Sequence, residues 1–246
     1  MPADYAVLAP YYERLQMADF ATYVLPPSIE FALQQGWMGR RIVDLGCGAG
    51  HSAQWLAKHG YLVTGVEQVP IMLERARALI GSALTPVQQD VRRLEGISDM
   101  DLALGIGLMN ELESLKELEL VIQKVHTLLK PEKWFIFDLF TIEGLFERFQ
   151  QGAGMVLDEA QQTVFSADEF DYDRQIHTRR YWLYQAQGKG WQRQNANVIL
   201  RAYPVAAVTG LVQRLGFNIL HVLKPNLERY EPKMGGNRVI IFAQKR

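Results

Sequence analysis

The sequence predicts an α/β protein with a doubly wound, mostly parallel seven-stranded sheet and an antiparallel β insertion after the fifth strand. Between residues 41 and 140, five short apolar runs alternate with helical segments, as in parallel sheets covered on both faces. Between residues 156 and 203, polar and apolar residues alternate with period two, which is typical of half-buried antiparallel strands. We therefore expect an α/β domain over 41–155 and 204–246, interrupted by an insertion at 156–203.

The segment before the first strand is predicted to be helical, with a break at Pro26 and Pro27, because proline lacks the helical N–H donor. ERLQMADFATYV, ahead of the prolines, is amphipathic. A second short helix is expected to begin at a Ser28 cap and to end at Gly36. Residues 1–40 are thus expected to form a helical segment of their own.

The expected strands of the main sheet are RIVDLG, YLVTGVE, LTPVQQD, MDLALGIG, KWFIFDLF, FNILHVL and NRVIIFAQK. Helices are expected in HSAQWLAKHG, PIMLERARALIG, SLKELELVIQKVHTLLKP and PVAAVTGLVQRLG. Pro70 suits the first turn of its helix, and Pro131 ends the long one. The insertion is expected to contain the strands QTVFSADEFDYDRQ, IHTRRYWLYQAQ and WQRQNANVILRAY, with GKG as a hairpin turn between the last two.

Composition and charge exclude several classes of protein. The formal net charge is -1, which argues against a general attraction to nucleic acid or to anionic membranes. Cys47 is the only cysteine, so no intrachain disulfide can form. MPADYAVLAP lacks the pattern of a signal peptide, and no apolar run reaches the roughly 18 residues of a membrane-spanning helix. We expect a soluble cytoplasmic protein, monomeric or homodimeric, with no membrane partner and no metal site.

A glycine-rich loop, GCGAG, separates the first strand from the first helix. In parallel sheets this position brings backbone N–H groups and a helix N-terminus to the edge where ligands bind. Gly46, Gly48 and Gly50 spell GxGxG, and His51 stands where the dinucleotide fingerprint has its third glycine. The pattern therefore disfavours a dehydrogenase, and it leaves open a loop that is only a tight turn.

Two carboxylates follow the next two strands. Glu67 ends the second strand, 21 residues after Gly46, where a carboxylate can accept hydrogen bonds from two ribose hydroxyls. Asp90 follows the third strand and can accept a bond from an adenine amino group while the Val91 N–H donates to a ring nitrogen. The alternatives are a solvated glutamate at a strand end and an aspartate that caps the turn at 91–94.

DLGCGAG, VTGVEQVPIMLERAR, QQDVRRL, MDLALGIGLMNEL and LLKPEKWFIFDLF occur in this order and at the spacings of one family. Over residues 41–140 the chain resembles the class I S-adenosylmethionine-dependent methyltransferases, which have a Rossmann-like sheet. The resemblance implies S-adenosyl-L-methionine as cofactor, with its methionine part over the glycine loop. It implies a cofactor site made of Tyr12, Asp44, Gly46, Cys47, Gly48, Gly50, Glu67, Gln68, Met72, Asp90, Val91 and Gly105.

The segments on either side of residues 41–140 indicate which kind of methyltransferase the chain resembles. YYERLQMADFATY is similar to the lid helices of small-molecule methyltransferases, which implies that residues 1–40 cover the cofactor. The insertion at 156–203 resembles that of a bacterial subgroup that includes amino-sugar N-methyltransferases, in which it covers the substrate cleft. The implied partner is a small-molecule methyl acceptor.

Methyl transfer to an amine or hydroxyl benefits from a general base, and we expect it on the insertion. The candidates are His177, Tyr172 and Tyr181, of which the first and last share one face of a strand. Asn110, with Glu111 next to it, follows the fourth strand, where the reacting group of the substrate should arrive. Arg201 is a candidate for an acidic group of the substrate or for a structural ion pair.

Two other functions are compatible with the sequence. The first is a methyltransferase that acts on tRNA or protein, which a basic stripe near 179–181 beside the cleft would favour; the net charge and the segment GLMNEL disfavour nucleic acid. The second is a non-catalytic protein that binds the cofactor, which a cleft without room for an acceptor would favour.

Overall fold

The computed structural model describes residues 3–246. The strands are β1 (Arg41–Leu45), β2 (Leu62–Glu67), β3 (Leu84–Gln88), β4 (Met100–Gly105), β5 (Leu129–Phe140), β6 (Gly154–Glu159), β7 (Gln162–Asp171), β8 (Ile176–Gln187), β9 (Gly190–Arg201), β10 (Phe217–Leu223) and β11 (Arg238–Lys245). The α-helices are α1 (Tyr5–Leu8), α2 (Asp19–Gln34), α3 (His51–Lys58), α4 (Pro70–Ile80), α5 (Leu115–Leu128), α6 (Ile142–Gln150) and α7 (Val205–Arg214).

Seven strands form the main sheet in the order β10-β11-β5-β4-β1-β2-β3. The pairs among β1 to β5 are all parallel, and β11 runs antiparallel to both of its neighbours. The chain order reverses between β1 and β4, so the carboxyl ends of these strands border the crevice where doubly wound sheets bind ligands. The predicted α/β architecture is confirmed.

Apolar side chains fill both faces of this sheet. Leu118 and Val121 of α5 and Val208 of α7 pack into the cluster on one face. Leu25 of α2 and Leu56 of α3 belong to the cluster on the other. Because both faces are covered, the central strands are buried and read as continuous apolar runs in the sequence.

The insertion is a four-stranded antiparallel sheet in the order β6-β7-β8-β9. Three of its strands match the predicted ones, and the hairpin between β8 and β9 turns at Gly188, whose φ is +61°. The first strand, β6, was not predicted. Its side chains are nearly all exposed, so its sequence shows no alternation of polar and apolar residues.

The predicted break in the N-terminal helices is wrong. The helix α2 runs through Pro26 and Pro27 without interruption. Ser28 is buried inside it, and its hydroxyl donates to the carbonyl of Val24 at 2.7 Å instead of capping a new helix. Proline inside a helix costs about 3 kcal/mol, and the burial of an apolar face against the sheet offsets that cost.

Among residues 3–246, no helix has the length and the apolar character needed to cross a membrane.

Candidate active site

A cavity of about 260 Å³ lies at the carboxyl edge of the main sheet, beneath the insertion. Its wall combines the loop after β1, the end of β2, the segment after β4 and the segment between α1 and α2. Strands β8 and β9 of the insertion supply Tyr181, Val198 and Leu200. One enclosed space therefore contacts both the glycine loop and the insertion.

The glycines of the loop serve different purposes. At Gly48, φ is +54°, and an added Cβ would lie 3.2 Å from the Tyr12 hydroxyl and 3.7 Å from Cε of Met72, which also line the cavity. At Gly50, φ is +89°, and an added Cβ would lie 2.8 Å from Cβ of Ala76 on α4. Gly48 therefore keeps space open at the cavity, whereas Gly50 allows α3 and α4 to pack closely.

Glu67 points from the end of β2 into the cavity and is only 8% exposed. Its Oε2 accepts a hydrogen bond from the Gly48 N–H at 3.1 Å, and its Oε1 accepts one from the Val69 N–H at 2.8 Å. Burial raises the pKa of this carboxyl, and the backbone N–H groups counteract part of that rise. Each oxygen keeps a second acceptor position, so the carboxylate can still accept bonds from two hydroxyls.

Asp44 is 3% exposed and lines the same cavity from the end of β1. Within residues 3–246 its Oδ2 has no hydrogen-bond partner. Burial and the nearby charge of Glu67 raise its pKa to about 7. A buried carboxylate oxygen without a partner is expensive, and it fits a ligand that brings an amino group with positive charge. The amino and ribose groups of S-adenosylmethionine thus match the two carboxylates present.

Most of the predicted cofactor residues line the cavity: Tyr12, Asp44, Gly46, Cys47, Gly48, Glu67, Gln68, Met72 and Val91. Three do not. Gly50 packs on α4, and Gly105 lies against Phe137 in the sheet. Asp90 accepts from the Arg92 N–H at 2.9 Å and pairs with the Arg92 guanidinium, which makes it the cap of the turn that follows β3.

The segment after β4 and the N-terminus bring a further carboxylate to the cavity. Glu111 accepts a short hydrogen bond from the Tyr5 hydroxyl. Burial raises the Glu111 pKa to about 7, because it outweighs the opposite effect of the bond from Tyr5. The ring of Tyr5 lies edge-on to Tyr12, and Tyr12 stacks on His51 with 6.2 Å between ring centroids. The pairing of Tyr5 with Glu111 joins residues 106 positions apart, so no sequence pattern indicated it.

Only one of the three predicted bases reaches the cavity. Tyr181 lines it. His177 is 0% exposed, is not part of the cavity wall, and its Nε2 lies 2.8 Å from Asp168 Oδ1. Tyr172 is 63% exposed and lies edge-on to Phe170, with ring centroids 5.0 Å apart, away from the cavity. The structure therefore places His177 and Tyr172 within the insertion and outside the wall of this cavity.

The two predicted substrate residues are also used differently. Asn110 lines the cavity, but its amide donates to the carbonyls of Phe140 and Arg201 and accepts from the Phe140 N–H at 2.8 Å. These bonds tie the end of β5 to the end of β9. Arg201 lies outside this cavity and donates to the carbonyl of Arg174 at 2.9 Å.

Sequence reasoning missed three cationic and aromatic residues in the cavity wall, Phe140, Arg148 and Arg238, which lie there with Phe20 of the expected lid. One signal was available. Asp138 interrupts the apolar run of β5 and is 1% exposed, and a buried carboxylate requires a cationic partner. That partner is Arg238, whose Nε donates to it.

The comparisons with known proteins agree with this geometry. A family model described as a methyltransferase domain matches residues 42–132. The chain is 27% identical to the putative methyltransferase YqeM of Bacillus subtilis over an alignment of 213 residues. This alignment covers 83% of this chain and 84% of that protein.

Solved structures share the fold. A S-adenosylmethionine-dependent methyltransferase from Clostridium acetobutylicum superposes with a TM-score of 0.81 at 19% identity, over 98% of both chains. The sugar N-methyltransferase KedS8 from Streptoalloteichus superposes with a TM-score of 0.76 at 15% identity, over 100% of this chain and 94% of that one. Residues 42–132 therefore form a methyltransferase domain, and this match, the relative and the carboxylates at the cavity identify a S-adenosylmethionine-dependent methyltransferase with S-adenosyl-L-methionine as its cofactor.

Proposed function

We propose that this enzyme methylates a small molecule that enters the cavity between the glycine loop and the insertion. The observation that carries the proposal is the shared wall: Gly48 and Tyr181 line one cavity of about 260 Å³. S-adenosylmethionine, when bound, supplies a methyl group on a sulfonium centre that is attacked in line. The residues of the chain then have to hold the two reactants in contact and exclude water.

Three residues are proposed to hold the cofactor. Glu67 would accept bonds from the ribose hydroxyls with the acceptor positions that the backbone leaves free. The unpartnered Oδ2 of Asp44 would accept a bond from the amino group. Met72, fully buried on α4, would pack beside the adenine.

Enclosure supplies much of the rate. Holding a nucleophile and an electrophile in attack geometry contributes roughly 7–11 kcal/mol relative to reaction in solution. Residues 15–18 close the cavity from the N-terminal side, and Val198 and Leu200 close it from the insertion. An acceptor bound between them loses contact with water, which also strengthens its electrostatic interactions with the wall.

Glu111 is the best-placed general base. It lines the cavity, and its pKa of about 7 leaves it partly ionised at neutral pH and able to take a proton from an amine or hydroxyl. The Tyr5 hydroxyl orients it through the bond described above. We therefore assign to Glu111 the role that the sequence had suggested for a residue of the insertion.

Transfer to tRNA or protein finds less support. The basic stripe that would favour it is absent at 179–181 in the described chain, because Arg179 turns inward to Asp168 and Arg180 pairs with Glu169. A non-catalytic role is also disfavoured, because the cavity extends past the cofactor residues to Arg148 and Tyr181. That additional space suits an acceptor.

The test is transfer of labelled methyl. The protein is incubated with S-adenosylmethionine carrying a labelled methyl group and with a bacterial extract divided by ultrafiltration into small molecules, bulk RNA and protein. We expect label in the small-molecule fraction, and loss of that label with Glu111→Gln. Label only in RNA or protein, or no label in any fraction, would contradict the proposal.

A further inference from the structure

Three arginines from separate elements meet in the cavity wall. Arg148 comes from α6, Arg179 from β8 and Arg238 from β11. The charges of Arg179 and Arg238 both act on Arg148. None of the three belongs to the loop or strands that carry the proposed cofactor residues, so the cluster forms a different part of the cavity wall.

Two of the arginines have carboxylate partners. Arg179 donates to both oxygens of Asp168, from Nε at 2.7 Å and from Nη2 at 2.6 Å. Arg238 donates from Nε to Asp138, which also accepts from the Gly107 N–H at 2.6 Å. These pairs are nearly buried and neutral as units.

Arg148 is the exception. Across residues 3–246, no carboxylate forms a salt bridge with it, and its Nε is buried without a hydrogen-bond partner. Burial lowers the pKa of His177, the other side chain on Asp168, and so disfavours a further positive charge there. The three guanidinium groups therefore have two carboxylates as direct partners, Asp138 and Asp168, and the positive charge of Arg148 has no direct carboxylate partner in the described chain.

Aromatic rings surround the cluster. The guanidinium carbon of Arg238 lies 3.3 Å from the ring centroid of Phe20 and 4.1 Å from that of Phe140. The guanidinium carbon of Arg148 lies 5.8 Å from the centroid of Phe140. Rings at these distances displace water, and charge interactions are stronger where water is displaced. An uncompensated cation in such surroundings favours a ligand that brings an anion.

We propose that the methyl acceptor carries a carboxylate group and that Arg148 binds it inside the cavity, with Tyr181 beside it. A carboxylate matches the single uncompensated charge and the two-pronged donor geometry of a guanidinium. A phosphate monoester would bring roughly two negative charges and leave an excess of one. This assignment rests on the proposed transfer to a small molecule in the same cavity.

A binding experiment tests the assignment without knowledge of the acceptor. The enzyme is saturated with S-adenosylhomocysteine, and trifluoroacetate is titrated against it and followed by ¹⁹F NMR, with trifluoroacetamide as the uncharged match. We expect saturable broadening with the acid only. Arg148→Met should weaken binding by about tenfold or more, as expected for a charge-assisted bond. Arg148→Lys should retain part of the affinity.

The controls separate this site from surface binding. Arg180→Gln removes a cation on the outer face of the same insertion and should leave trifluoroacetate binding unchanged. Equal broadening by the amide, or unchanged binding in Arg148→Met, overturns the inference. Stronger competition by inorganic phosphate than by acetate would reassign the site to phosphate esters and overturn the carboxylate. Should Arg148→Met fail to fold, the comparison of acid with amide and the Arg148→Lys variant still decide.

The labelled extract distinguishes this inference from the proposed function. A labelled small molecule that an anion exchanger retains supports both. A labelled small molecule that passes through uncharged supports the function and overturns the carboxylate. Absence of label in every fraction contradicts the function, and the NMR titration then judges the anion site by itself.

Discussion

Asp44 and Glu67 place two carboxylates at the ends of the neighbouring parallel strands β1 and β2, facing one cavity. Glu67 receives two backbone N–H groups, whereas Asp44 has an oxygen with no partner in the described chain. Like charges in a buried site raise each other's pKa and destabilise the empty protein. A ligand that supplies hydroxyls and a positive charge would relieve this cost, which is why we propose these two carboxylates for the cofactor site.

Glu67→Ala should weaken S-adenosylhomocysteine binding by about tenfold to a few hundredfold, because one or two charge-assisted hydrogen bonds are lost. Isothermal titration calorimetry measures the affinity. Glu74→Ala, on the exposed side of α4, is the matched control and should bind normally. Unchanged affinity in a folded Glu67→Ala protein would refute the ribose assignment.

At the scale of elements, we expect the glycine loop to control cofactor binding and the junction of the insertion to control stability. Gly48→Val should abolish binding of S-adenosylhomocysteine while the protein still folds. The valine Cβ would approach the Tyr12 hydroxyl to 3.2 Å, and φ at this position is +54°, which β-branched residues disfavour. Calorimetry and circular dichroism test both statements. Gly210→Ala, in open space on α7, should change neither property, and normal binding by Gly48→Val would show that the loop is only a turn.

Asn110 joins the main sheet to the insertion by bonds to the ends of β5 and β9. Asn110→Ala leaves partly buried backbone groups of Phe140 and Arg201 without partners, and we expect a loss of about 2–4 kcal/mol in the free energy of unfolding. Urea denaturation measures it. Asn218→Ala, an exposed residue of β10, should alter stability by no more than about 0.5 kcal/mol. Equal stability of the two variants would remove the bridging role.

At the scale of the whole molecule, we expect the carboxylates at the cavity to lower the stability of the protein without ligand and to favour cofactor binding. The folded-state pKa of Asp44 is about 7, above its unfolded value of 3.8, so ionisation destabilises the fold. The effect is absent below about pH 4 and grows as pH rises to 7. Comparison of wild type with Asp44→Asn measures this effect together with the relief of the repulsion between Asp44 and Glu67.

Without cofactor, Asp44→Asn should therefore be more stable than wild type at pH 8, by on the order of 3 kcal/mol, and equally stable at pH 4. Saturating S-adenosylhomocysteine should raise the melting temperature of wild type more than that of the variant. In the variant, the amino group of the ligand no longer has the Asp44 carboxylate as its ionic partner. Differential scanning calorimetry at the two pH values measures both effects. A variant less stable than wild type at pH 8 would contradict the origin of the raised pKa.

Much of this protein could be predicted from local patterns. The parallel strands and their helices follow from apolar runs whose length and punctuation are set within a few residues. The residues that we propose for the cofactor follow β1, β2 and β3 in turn, and the carboxyl ends of parallel strands meet at one edge of a sheet, so their spacing along the chain already predicts that they lie together. The strand β6 was not predicted because its side chains are nearly all exposed and show no alternation of polar and apolar residues.

Tertiary structure decided the rest. Proline in α2 is tolerated only because the helix is buried against the sheet, and Tyr5 meets Glu111 across 106 positions. The arginine cluster draws Arg148, Arg179 and Arg238 from three elements whose packing no local pattern specifies. By itself the sequence determined the main sheet and the position of the glycine loop, because these depend on short-range periodicity. The wall that faces the acceptor depends on long-range packing and charge compensation, and only the folded chain shows which charge remains unpaired.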